Sequence, residues 1–444
     1  MTSQLALMNK NAIALASDSA VTIGGKTYNS ATKIFTLKGN HPIGFMIAGA
    51  GVYLPCNIDW ERVIGLFGDE IGDVNLPTVE DYVVRFKKFL FECPKLKPNQ
   101  ENSTFIQEDL IDFLKHYLKP ETKKKLGTVV YDLENLYQEF PGLDEYISKS
   151  MNQRIDHFHS TIEELITGLD EQERYVHNRI KEYHKDTLDK ANNFFCEMHN
   201  VSSGQRKKTH EIISYHLAMG GNGDAVTNLV IAGFGSKEIS PVLVELKVKG
   251  IVDPTVGACD EGVTNFIRIR KDLEDTGGLE HPIVDGKEAV SAAAFIIPYA
   301  QKMEIQNILD GVHMDLQRYY LHEKLPTYIR DATLDQLSKT LSEIDGIGPS
   351  TQAKIIKGFH DSAESLKNNI SGEISRGIDH YRITRRGYFR DSTRLMSAGQ
   401  LAEFAKKLVS MEAEITYYLK PKRTVGGEIL VATITKEHGF EILE

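Results

Sequence analysis

Strand-patterned residues fall in three blocks, at the start, the middle and the end of the chain, and long runs of helical periodicity separate them. In the first block Leu5 and Leu7, then Ile13 and Leu15, alternate with their neighbours on either side of Asn9-Lys10-Asn11, a good turn. A Gly24-Gly25 turn, the run Lys33 to Leu37 and the apolar run Ile43 to Ala48 follow, which predicts a compact β-meander from Thr2 to about Ala50. Asn228 to Gly235 and Pro241 to Val248, joined through Ser236-Lys237, read as a hairpin. Ile429 to Thr435 and Phe440 to Leu443 read as a closing pair. Strands spread in this way, with helices between them, point to an α+β domain carrying helical insertions.

Between Val52 and His216 the apolar residues take helical spacing instead. Ile162, Ile166, Leu169, Val176, Ile180 and Tyr183 step by threes and fours, with one step skipped, among dense charges. The stripe fits a coiled-coil hairpin or a long amphipathic helix packed on its neighbours, the second being the simpler. Helical periodicity returns from about Glu288 to Leu419, broken near Gly346 to Pro349. The expected core segments are 1–92, 217–300 and 396–444, with helical insertions at 93–216 and 301–395. Neither an internal repeat nor a low-complexity linker stands out.

At 444 residues and 49.9 kDa the chain exceeds what one core usually holds, so more than one structural unit is expected. Its 41% hydrophobic and 26% charged residues exclude a mostly disordered or collagen-like protein. With 52 Lys and Arg against 62 Asp and Glu the formal charge is −10, which argues against a dedicated nucleic-acid coat. Cys56, Cys93, Cys196 and Cys259 are far apart and form no Cys-x-x-Cys pair, so neither a disulfide framework nor a zinc ribbon is expected. The most continuous apolar stretch, Ala289 to Ala300, is too short to span a bilayer. The first residues lack the cationic start and apolar block of a signal peptide. The expectation is a soluble cytoplasmic protein without membrane contact.

Thr2 directly follows the initiator methionine, and removal of Met1 would give Thr2 a free α-amine. Such an amine has a pKa of about 8 and can act as base toward its own hydroxyl, so one residue carries nucleophile and base. The device also needs a nearby cation, a carboxylate to hold it, and a backbone N–H to receive an oxyanion. Asp18 at the end of one strand, Lys33 at the start of the next and Gly49 just past Ile43 to Ala48 supply those types. In a three-strand meander these ends can converge. Taken singly, an Asp in a turn and a Lys on a strand edge are ordinary solvated residues.

The run Thr2…Ala14-Leu-Ala-Ser-Asp18-Ser19…Lys33-Ile34…Ile47-Ala-Gly49 resembles the opening of proteasome β-subunits and of the bacterial HslV peptidase. The resemblance recurs over Asn228 to Val248 and over Leu401 to Leu443, where a helix leads into Val425-Gly426-Gly427 and two strands. It implies an N-terminal-nucleophile hydrolase with a four-layer αββα sandwich, a threonine peptidase that needs no metal or organic cofactor. By the resemblance Thr2 is the nucleophile, Asp18 orients Lys33, Lys33 stands beside the nucleophile and Gly49 donates the oxyanion N–H. Thr22 matches the position whose backbone pairs with an extended polypeptide substrate, and Ile47 the lining of the first specificity pocket. Family members enclose their nucleophiles in rings, which implies a homo-oligomer. The chain carries no ATPase motif, so an ATP-driven unfoldase would be a separate partner. Two supporting groups depart from the pattern. Val425 occupies the family's Ser position before Gly-Gly, with Thr424, Glu412 and Glu414 as out-of-register substitutes, and the family's middle Ser finds no match near Gly257 to Gly262.

Leu341 to Ile356, with its Gly346-Ile347-Gly348 turn, looks like a helix-hairpin-helix, whose exposed N–H groups bind nucleic-acid phosphate. Lys354, Lys357 and the arginines 376, 382, 385, 386, 390 and 394 are placed to assist. The simpler reading is a tight turn between packed helices, with the arginines at a subunit interface. His157, His159, His177 and His184 lack the partners of a metal motif and read as solvated helix residues. Lys123-Lys124-Lys125 reads as a solvated run and Gly220 to Gly223 as a plain turn. Besides a peptidase, two functions fit the residues: an amidase acting on a small acyl compound, and a non-catalytic scaffold that binds through its insertions.

Overall fold

Asn9 makes the first turn. Its Oδ1 accepts the backbone N–H groups of Asn11 and Ala12 at 3.0 and 3.1 Å, the local bonding that favours Asn in turns. The computed structural model describes residues 2–23, 26–29, 31–39, 41–96, 100–118, 143–218, 226–249, 266–272, 294–419 and 425–443. Gly24-Gly25, Lys123 to Lys125, Gly220 to Gly223, Gly257 to Gly262, Cys259 and Thr424 lie outside them.

The first strands are β1 (Ser3–Asn9), β2 (Ala12–Asp18), β3 (Ala20–Ile23), β4 (Lys26–Asn29), β5 (Ile34–Thr36), β6 (Ile43–Gly49), β7 (Val52–Tyr53) and β8 (Ile58–Asp59). Later come β9 (Val226–Gly233), β10 (Val242–Lys249), β11 (Phe266–Asp272), β12 (Ala294–Ala300), β13 (Ile429–Thr435) and β14 (Gly439–Leu443). The helices up to the middle block are α1 (Trp60–Ile71), α2 (Val79–Glu92), α3 (Gln100–Leu118), α4 (Leu143–Gly168), α5 (Glu171–Tyr183), α6 (Lys185–Met198) and α7 (Ser203–Ala218). After it run α8 (Met303–Asp310), α9 (Leu325–Glu343), α10 (Pro349–Arg394) and α11 (Ala398–Leu419). The fold is mixed α and β with antiparallel sheets. Two compact units form: Met1–Ile34 with Asp272–Lys436 and Glu441–Glu444, and Phe35–Lys271 with Glu437–Phe440.

In the first unit the sheet order is β12-β1-β2-β13-β14. Leu5 and Leu7 of β1 and the alanines of β2 pack on α8 and α11 through Ile305, Leu401 and Leu408. The other face is equally dry, since Ala6, Met8, Ile13 and Leu15 are wholly buried. Ala294–Ala300, inside a region expected to be helical, is instead the strand that pairs with β1. Phe295, Ile296 and Ile297 favour a strand, and Pro298, which has no N–H to donate, fits the outermost strand of the sheet.

The second unit contains the sheet β11-β10-β9-β6-β5. The expected meander is therefore divided, because β6 pairs with β9, Ile43 opposite Gly233, and not with β2. Ile43 to Ala48 is apolar at every position and almost fully buried, the pattern of an interior strand. Its Phe45 ring meets Phe67 of α1 and Phe86 of α2 at centroid distances of 6.5 and 5.5 Å. The helical stripe forms a separate core in which Ile155, Ile162, Val176, Ile180 and Leu188 are buried among their own helices. The skipped step is a break between two helices. Asp170 caps α5 by a reciprocal bond with Glu173, which ends the single long helix at Gly168.

Candidate active site

The end of β2 collects three distant stretches of chain. Pairing of Gln4 with Ser17 sets Thr2 and Ser3 beside Asp18. Beyond Asp18 the chain leaves and returns as the β3–β4 hairpin, Ala20 opposite Asn29, and the Ala31 N–H closes its base on the Ser19 carbonyl at 3.1 Å. Lys33, one residue before β5, is thereby delivered back to Asp18.

Lys33 Nζ donates to Thr2 Oγ1 at 2.8 Å, to Asp18 Oδ1 at 2.8 Å and to the Ala20 carbonyl at 2.5 Å. Thr2, Asp18 and Lys33 are 8%, 1% and 5% exposed. Burial pushes the Lys33 ammonium below its ordinary value, and the Asp18 carboxylate opposes that shift. Asp18 Oδ1 also accepts the Ser3 N–H at 3.0 Å, and Oδ2 accepts the Gly426 N–H at 3.0 Å. A carboxylate with two backbone donors and one ammonium is held in a single orientation. Thr2 Oγ1 accepts from a cation, so its own O–H is left to point elsewhere, and an alkoxide formed at this oxygen would be stabilised in place.

Sequence reasoning missed the Gly426 N–H. The readable signal was the Gly-Gly pair before a strand: Gly427 has φ +77°, and a Cβ there would come within 2.3 Å of Ser19 Oγ. Gln301 was missed as well; its N–H donates to the Thr2 carbonyl at 2.8 Å, and a backbone contact leaves no mark in the sequence. Of the substitutes weighed for the altered support, Glu412 is buried and accepts the Ile305 N–H at 2.8 Å, while Glu414 is exposed. Gly49 ends β6 with φ +96°, and Ile47 is buried in the core beneath that sheet; both belong to the second unit. Thr22 lies in the two-stranded β3–β4 hairpin, opposite Thr27.

The remaining candidates have structural places. Gln352 Nε2 donates to the Leu341 and Ile347 carbonyls at 2.7 and 3.2 Å, closing the α9–α10 turn. Arg382 and Arg386 pair with the buried Asp310 at 3.3 and 2.5 Å, and Arg385 Nε donates to the Ile308 carbonyl. These arginines bind α10 to α8. His177 and His184 are buried and not solvated, and burial lowers the His177 pKa. His159 Nε2 lies 2.6 Å from Glu211. Among the described residues no group of histidines, cysteines or acids could hold a metal ion, and no helix is long and apolar enough to cross a membrane. The chain matches no protein-family model, and no curated protein matches it significantly.

Proposed function

We propose that the chain is an N-terminal threonine hydrolase, a proteasome-like peptidase built on a four-layer αββα sandwich. The observation that carries this reading is the buried Lys33 ammonium bonded at 2.8 Å to both the Thr2 hydroxyl and the Asp18 carboxylate. Burial of β1 and β2 on both faces, with α8 and α11 on one of them, supports the layered architecture.

In the proposed reaction Met1 is absent and the Thr2 amine takes the hydroxyl proton through a water. Thr2 Oγ1 forms an ester with the substrate acyl carbon, and the amine returns the proton to the departing nitrogen. A second water, deprotonated by the same amine, releases the acid and restores Thr2. Lys33 keeps the amine neutral near physiological pH by its positive charge. The resemblance assigns the oxyanion donor to the Gly49 N–H, substrate pairing to Thr22 and the first specificity pocket to Ile47.

Intact-mass measurement should show the chain without Met1, and retained Met1 in active protein would remove this mechanism. The pH profile of kcat/KM should be bell-shaped. Its acid limb should report the Thr2 amine, held below about 8. The alkaline limb should report loss of the Lys33 proton, and burial places that limb below the ordinary lysine value. A flat profile through that range, with wild-type rates in Lys33→Met, would sink the role of the lysine.

A homo-oligomer that encloses Thr2, supplied by a separate ATP-driven unfoldase, belongs to the same reading. Light scattering at micromolar concentration should give a mass well above the 49.9 kDa monomer. The first helical insertion covers its own apolar stripe, so contacts between copies would use other surfaces. A monomer would remove this part of the reading and leave the hydrolase chemistry standing.

A further inference from the structure

The end of β12 has an unusual backbone. Only three non-glycine residues among those described have positive φ, and two of them are asparagines, which tolerate that region. The third is Ala300, at φ +57°. An alanine has no side-chain bond to stabilise this conformation, so the surroundings must impose it. Ala300 lies opposite Ser3 in the β1–β12 register, one residue from the proposed nucleophile.

The surroundings that impose it come from α11. Gln301 Nε2 donates to Thr416 Oγ1 at 3.0 Å. One turn earlier on the same helix, Glu412 accepts the Ile305 N–H at 2.8 Å. Thr416 is 1% exposed and Glu412 fully buried. A rigid helix thus holds the 300–305 connection at two points. The held turn in its turn presents the Gln301 N–H to the Thr2 carbonyl at 2.8 Å. On the other side of the same peptide unit, the Ser3 N–H is fixed by Asp18 Oδ1 at 3.0 Å.

We infer that Gln301 is a positioning residue for Thr2, locked by Thr416 through the strained Ala300 turn. With its first peptide unit clamped on both sides, Thr2 keeps its amine and hydroxyl in one mutual orientation toward Lys33. This rests on Thr2 being the nucleophile. Small errors of placement are expensive in such a device, because a displacement of about 1 Å can cost up to 10²-fold in rate.

The test measures acylation of Thr2 by a β-lactone, an electrophile that esterifies an activated hydroxyl, with the site located by peptide mass. The limiting labelling rate and the half-saturating concentration are taken separately. Thr416→Val keeps the shape of the side chain and removes the acceptor. It should lower the limiting rate roughly 10–100-fold with half-saturation changed less than about twofold, and Thr416→Ser should recover most of the rate. Ala300→Gly should label at the wild-type rate, since glycine adopts positive φ freely, whereas Ala300→Val should resemble Thr416→Val. Melting curves accompany each variant. A lowered melting temperature with an unchanged limiting rate in Thr416→Val would mark a merely structural bond and overturn the inference. If Thr416→Val does not fold, a wild-type limiting rate in Ala300→Val would overturn it too. Wild-type protein that is not labelled at Thr2 would instead remove the hydrolase reading itself.

Discussion

Thr2→Ala should reduce hydrolysis by roughly three to six orders of magnitude, as expected for loss of a nucleophile that works as a unit with its base. The fold should survive the change. Lys33 keeps two of its acceptors, Asp18 Oδ1 and the Ala20 carbonyl. The lost bond to the hydroxyl is of the kind worth about 0.5–1.5 kcal/mol net, somewhat more for a charged donor. Thr2→Ser retains a hydroxyl and an amine, and some activity should remain, measured on the same substrate by product mass. Wild-type rates in Thr2→Ala, with the same melting temperature, would place the chemistry elsewhere, whereas no hydrolysis by either protein would leave the chain a binding scaffold.

Asp18→Ala should be the most destabilising single change at the site, by about 3–5 kcal/mol. The side chains of Lys33 and Asp18 are 6% and 0% exposed, so removing the carboxylate leaves a buried ammonium without its counter-charge. It also strips the Ser3 and Gly426 N–H groups of their acceptor. Lys33→Met should cost less, since Asp18 keeps the Ser3 and Gly426 N–H groups as donors. The double variant should lose clearly less than the sum of the singles, because Asp18→Ala then leaves no stranded charge. Additive losses in urea titrations would show that the two groups do not depend on one another.

The same pair has a defined pH signature. Burial holds the folded Lys33 below its ordinary value, so between the folded and the ordinary value the unfolded chain binds more protons. Stability contributed through this group therefore rises with pH across that window. Wild-type protein should gain on Lys33→Met as pH is raised through it, and a loss would reverse the sign of the shift.

Much of this was legible in the sequence because it is local. Asn9 announced its turn, β13 has the bounds its apolar and β-branched run gave it, and Thr2, Asp18 and Lys33, singled out as candidates, are three side chains that do meet. What escaped was set by tertiary partners. A run such as Ile43 to Ala48 carries no sign of which sheet will accept it, and β6 went to β9. Phe295 to Ile297 followed by Pro298 was compatible with an outer strand, yet only pairing with β1 decided the matter. The supports of Thr2 and Asp18 are main-chain N–H groups of Gln301 and Gly426, and every residue but proline has one. Buried His177 and His184 likewise carry the same sequence pattern as solvated ones.

The Gly426 bond to Asp18 spans 408 residues of chain, and it sets an order of events during synthesis. At about 5–20 residues per second, roughly 20–80 s separate the emergence of the carboxylate from that of its last donor. Strand β2 waits equally long for β13, its neighbour in the sheet. Throughout that interval a ribosome-bound chain holds Thr2 and Lys33 but lacks the loop that completes their anchor. The proposed chemistry is thus coupled to synthesis of the Gly426 segment, and a nascent hydrolase would be unarmed toward the unfolded polypeptides emerging beside it.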